Sequence, residues 1–113
     1  MLIEEAVKLV MEARGYKFGN DWKHEHWKNG YWYKEGYLTL TPEQALAECL
    51  DLNKLAEVWS TLDLVIEFAN KGKFWCCQLT EFPEGKAFSA DGKTIHEAAL
   101  LATAEALKAV KPC

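Results

Sequence analysis

Two four-residue segments fix where helices begin in this chain of 113 residues. Thr41-Pro42-Glu43-Gln44 and Thr94-Ile95-His96-Glu97 each place a threonine hydroxyl three residues before a side chain that can reach back to the cap amide. That reciprocal pairing satisfies two otherwise free backbone N–H groups and opens a helix. Pro42 sits at the first helical position, where its missing N–H costs nothing. Helices are therefore expected over 41–50 and 94–110. Asp51 caps a further one, expected to run to about Asn70, with Leu52, Leu55, Trp59, Leu62, Ile66 and Ala69 as its apolar stripe. At the front of the chain Ile3, Ala6, Val7, Val10 and Met11 recur at helical spacing over 2–14, and Gly15 ends that helix.

The intervals between these helices are turn-bounded and aromatic. Residues 16–21, with Gly19, Asn20 and Asp21, read as a loop. Asn29-Gly30 lies between the aromatic stretches 22–28 and 31–40 and favours a two-residue hairpin turn, with Gly36 able to bulge or break the second strand. Residues 73–81 and 86–90 form a second expected hairpin across Phe82-Pro83-Glu84-Gly85, and Asp91-Gly92-Lys93 turns into the last helix. The expected fold class is α+β, a single domain over 1–113 in the order α-β-β-α-α-β-β-α, with an antiparallel sheet of two hairpins packed against helices. Alanines 98, 99, 102, 104, 106 and 109 let the last helix approach a neighbour closely.

Charge and cysteine usage narrow the function classes. Twelve lysines and one arginine are scattered among 17 acids, for a net charge of −4. A protein that grips long DNA or RNA needs a basic face to release counterions, so long nucleic acid is not an expected partner. A small phosphorylated ligand needs only a few local donors. No apolar run approaches the ~20 residues of a membrane span. Cys49, Cys76, Cys77 and Cys113 form no CxxC pair, and Cys76 and Cys77 face opposite sides of a strand. They are expected as reduced thiols in a cytoplasmic protein. Met1 leads directly into an amphipathic helix with Glu4 and Glu5 in its first turn, so no secretory leader is expected.

No catalytic signature stands out. His24 and His26 share a strand face, but two ligands do not close a tetrahedral site, and no structural metal is expected. Cys76 or Cys77 beside His96 or His24 would make a nucleophile pair, yet two thiols among Phe74, Trp75 and Leu79 suit packing better. The most informative stretch is 82–97. Lys93 and Thr94 arrive at a helix N-terminus, where free amides attract anions, while Phe82 and Phe88 can stack on a base and Lys86 and Asp91 lie nearby. The plain alternative is a strand, a turn and a well-capped helix. A second candidate is the tract Trp22, Trp27, Tyr31, Trp32, Tyr33 and Tyr37, interleaved with Lys23, Lys28 and Lys34. Trp27 and Lys28 are its expected ligand-binding pair. Its aromatic surface exceeds what one face of a small hairpin hides, which points to a homo-oligomer built on dimers.

The C-terminal half resembles the phage ABA-sandwich domain over roughly 55–108. The matching residues are the helix with Trp59, the strand Phe74-Trp75-Cys76-Cys77, the return Lys86-Ala87-Phe88-Ser89-Ala90 and the Ala-rich helix from Thr94. With the opening helix Ile3-Glu4-Glu5-Ala6-Val7, Arg14-Gly15-Tyr16 and the Trp-rich hairpin, the whole chain is similar to the phage anti-Thoeris sponge proteins of the first type. The resemblance implies a non-enzymatic phage protein, without cofactor, acting in the cytoplasm of the host bacterial cell. Such proteins bind cyclic ADP-ribose isomers, some also cyclic oligonucleotides, and hold the immune signal intact in pockets between subunits. One departure is that the family uses arginine at its phosphate pockets, whereas here Arg14 is the only arginine and lies on the first helix. The competing reading is a phage protein that blocks a host defence protein directly through the aromatic hairpin.

Overall fold

The computed structural model describes residues 1–21, 27–81 and 85–110. Its elements are α1 (Ile3–Ala13), β1 (Lys17–Gly19), β2 (Tyr31–Tyr33), α2 (Pro42–Cys49), α3 (Leu52–Thr61), β3 (Leu64–Asn70), β4 (Trp75–Glu81), β5 (Ala87–Gly92) and α4 (Ile95–Val110). The fold is α+β, with four helices and two antiparallel sheets among the described residues, ordered β1-β2 and β3-β4-β5.

The cap chemistry sets the helix starts. Thr41 and Gln44 make both bonds of the capping box, Gln44 N–H donating to Thr41 Oγ1 at 3.2 Å and Thr41 N–H to Gln44 Oε1 at 2.9 Å. Asp51 accepts from Asn53 N–H at 2.9 Å, and Thr94 Oγ1 accepts from Glu97 N–H at 3.1 Å. α4 is the central layer. One side packs on β5 and β4, and other parts meet α1 and α3. Its buried alanines, among them Ala98, Ala102 and Ala106, permit both approaches at once. Leu79 and Cys77 of β4 meet it from the sheet, and Val10 and Met11 of α1 and Leu55 of α3 complete the core.

Expectations in both halves of the chain are corrected. The helix capped by Asp51 ends at Thr61, not near Asn70, and Leu64–Asn70 is a strand paired along its length with β4. Asp63 takes a left-handed conformation, φ 52°, which stops the helix, and Val65, Ile66 and Phe68 then suit a pleated surface. The second hairpin is thus a three-stranded meander.

In the first half the partner of β2 is Lys17–Gly19, within the stretch expected as a loop, with Phe18 opposite Trp32. Residues 27–29 form a tight turn closed by Gly30 N–H donating to the Trp27 carbonyl at 2.9 Å, rather than the end of a strand. The strand expected to Leu40 stops at Tyr33. Tyr37 N–H donates to the Lys34 carbonyl, and Gly36 at φ 82° carries the turn. His24 and His26 lie outside the described residues.

Candidate functional site

The described residues of the 82–97 segment do not converge into a single site. Phe82 lies outside the described residues. Phe88 sits opposite Leu79 on the inner face of the sheet and packs half-buried against the core, so it is not a free stacking platform. Asp91, three residues on, points to the other face, opposite Cys76. Lys86, Lys93 and Thr94 are exposed. The Thr94 hydroxyl is engaged with Glu97 N–H, and its carbonyl accepts from Ala98 N–H at 3.0 Å. The first turn of α4 rests so closely on Gly92 that a Cβ there would lie 2.5 Å from Ala98 N.

The second candidate pair lies near a hollow. Trp27 is half-buried with its ring edge-on to Tyr31 at 5.9 Å, and Lys28 is exposed. The next residue, Asn29, lines a cleft of about 550 Å³. One wall is Ile3, Glu4, Val7 and Lys8, spaced to share a face of α1, and the other is Pro42, Glu43 and Leu46 at the start of α2. Between them stand Phe18 of β1 and Trp32 of β2, edge to face at 5.1 Å. Trp32 is buried, whereas Phe18 is 48% exposed and offers a free ring face. A second hollow of about 660 Å³ shares Phe18, Trp32 and Lys8 and adds Glu12, Tyr16 and Lys17. Lys8 lines both hollows and Lys17 the second, while Glu4 and Glu43 line the first. Sequence reasoning missed Phe18 because it lay in an expected loop. Its available signal was the pair of glycines, Gly19 and Gly30, that leave room for rings.

Arg14 is spent inside the fold. Its guanidinium, on a side chain 9% exposed, donates to Glu48 Oε1 at 3.0 Å and lies 5.5 Å from the Tyr16 ring centroid. Lys34 Nζ donates to the Arg14 carbonyl at 2.7 Å and sits 4.6 Å from the Tyr37 ring centroid. Burial first, then Glu48, raises the Tyr16 hydroxyl pKa. Tyr31 donates to the Asp21 carboxylate, and that bond pushes its pKa up to about 12.

The three described thiols, Cys49, Cys76 and Cys77, are poor nucleophiles. Burial pushes Cys49 and Cys77 up to about 12, and burial followed by the Asp91 carboxylate raises Cys76. His96 Nδ1, 2.9 Å from the Leu50 carbonyl, is a donor committed to that acceptor. A thiol reagent at pH 8 is expected to leave Cys49 and Cys77 unmodified until urea unfolds the chain, and equal labelling of native and unfolded protein would contradict the burial. A thiol whose folded pKa is raised contributes stability below its unfolded value near 9 and loses it as pH climbs toward about 12. The melting temperature should therefore fall across that alkaline window.

Among the described residues no three His, Cys, Asp or Glu side chains converge as a metal site, and no helix is long and apolar enough to cross a membrane. Comparison with protein-family models, curated proteins and solved structures gave no match.

Proposed function

We propose that this chain is a non-catalytic binding protein that sequesters a nucleotide-type signal, and that the base of that ligand lodges in the cleft at Phe18 and Trp32. The observation that carries this is the shape and chemistry of the cleft, a largely apolar hollow of about 550 Å³ with one exposed aromatic ring, lined also by Lys8, Glu4 and Glu43. A base stacked on Phe18 gains roughly 1–3 kcal/mol, and Lys8 in the cleft and Lys17 in the adjoining hollow are cations available to a phosphate on the same ligand. Nanomolar sequestration needs about −12 kcal/mol. Stacking and two lysines supply part of that, and burial against Ile3, Val7 and Leu46 adds to it. The thiols of Cys49, Cys76 and Cys77, held protonated by burial, favour binding over cysteine catalysis. In the setting the resemblance implies, the chain is a cytoplasmic phage protein that starves a bacterial immune effector of its cyclic nucleotide activator.

The test is incubation with a panel of cyclic ADP-ribose isomers and cyclic oligonucleotides, followed by heat release and mass analysis. The expected result is one ligand recovered unmodified. Phe18→Ala should weaken its binding at least tenfold, and Lys93→Ala should leave it within twofold. A chemically altered ligand would make the protein an enzyme. Loss of affinity in Lys93→Ala alone would move the site to the β5–α4 corner.

A second reading, direct blocking of a host defence protein, is favoured by one specific observation. Tyr37 and Leu38 are 61% and 86% exposed beside the Gly36 turn. Under that reading the panel binds nothing.

A further inference from the structure

We infer that β3 is a docking edge for a second copy of this chain, the two β3 strands pairing antiparallel so that the three-stranded sheets join into one of six. This inference stands apart from the ligand reading. Its basis is the contrast between the two edges of the β3-β4-β5 sheet. β5 is protected in the usual manner. Lys86 precedes it, Ser89 and Asp91 break its outer face, and α4 packs on it down to the contact of Gly92 with Ala98. β3 is less protected: its outer face carries one charge, Glu67, and only α3, the helix before it, meets it. It is seven residues long, Leu-Val-Ile-Glu-Phe-Ala-Asn, with no proline, no lysine and a single charge. α4 makes its contacts on β5 and β4, so Phe68 on the inner face remains exposed, as does Val65 on the outer face at 52%. Among the described residues its backbone is hydrogen-bonded to β4 on one side only, and the complement of a row of N–H and C=O groups is another extended strand.

The pattern selects a copy of itself. Every molecule carries the same edge, so a mate is present at the protein's own concentration. A two-fold axis at Ile66 sets Ile66 opposite Ile66 and Leu64 opposite Phe68, an apolar strip on the inner face. On the outer face the same axis sets Val65 opposite Glu67. An axis at Glu67 would instead oppose two carboxylates at about 5 Å, which is destabilising. Antiparallel pairing also brings the exposed Lys71 and Lys73 at one end of β3 alongside the exposed Asp63 at the other end in the second copy, so the charges beyond the strand ends are complementary.

A pair of opposite charge substitutions at one exposed position tests both the edge and its register. Wild-type protein is expected to sediment as a dimer at about 50 µM. Val65→Glu sets a carboxylate against Glu67 twice per dimer and should weaken association at least tenfold. Val65→Lys sets an ammonium there and should leave association unchanged or stronger. Val65 is exposed, so both variants should fold, which thermal melting checks. A monomeric wild type at 50 µM overturns the proposal. So does equal weakening by both substitutions, or a dimer that ignores both and dissociates on Leu38→Ser.

Discussion

Replacing Gly92 with alanine should lower stability by about 3 kcal/mol, at the upper end of what one added methyl does in a packed interior. Gly92 is the last residue of β5, opposite Trp75, and its φ is unremarkable, so the effect is one of space rather than backbone strain. An added Cβ would lie 2.5 Å from Ala98 N, 2.9 Å from the Glu97 carbonyl carbon and 3.0 Å from Ala98 Cα. All three are backbone atoms in the first turn of α4, and no rotamer change relieves them. The helix itself must move. It cannot move cheaply, because Ala98, Ala99 and Ala102 are buried and α4 meets the sheet, α1 and α3. A loss of about 3 kcal/mol is a large part of the 5–15 kcal/mol that a domain has in hand. It should appear as a lower urea midpoint at unchanged slope. A midpoint within error of wild type would mean that α4 does not sit on Gly92 as described.

The parts of this fold that could be read from the sequence are those decided by neighbouring residues. Thr41 with Gln44, Asp51 with Asn53 N–H, and Thr94 with Glu97 are interactions two or three residues long, and each helix start follows from them. β3 was hidden because Leu62, Ile66 and Ala69 extend a helical stripe while Leu64, Ile66 and Phe68 make a period of two. Asp63 decides between them through one positive φ, for which aspartate is a weak signal. β1 was hidden for a different reason. Three residues, Lys17 to Gly19, become a strand because Tyr31 to Tyr33 arrive beside them, and that pairing is non-local.

The same distinction governs the site. Phe88 and Asp91 are three apart on a strand and so face opposite ways, which alternation alone could have told. The Phe18–Trp32 contact needed the fold. Arg14, whose placement at a ligand would have matched the resemblance, is committed to Glu48 instead.

Replacing Gly30 with alanine should cost about 2 kcal/mol and, in addition, weaken the proposed ligand binding at least tenfold. Two causes add. Gly30 has φ 95°, a conformation that costs a residue with a side chain about 1–2 kcal/mol. An added Cβ would also lie 2.1 Å from Phe18 Cζ, so the ring must leave its seat over the Gly30 backbone. The ring is the far end of a mobile side chain with one open face, so it can swing aside, and this makes the stability loss smaller than at Gly92. The swing separates Phe18 from the face of Trp32 and takes away the platform of the cleft. The two causes can be separated by a double-mutant cycle with Phe18→Ala, measured by urea unfolding and by ligand titration. With alanine at position 18 the clash is gone, so Gly30→Ala should then cost only its strain, about 1 kcal/mol less than in the wild-type background. Affinity, expected to be lost already in Phe18→Ala, should fall little further. Strict additivity in both stability and affinity would show that Gly30 does not seat Phe18 and that the cleft owes nothing to this glycine.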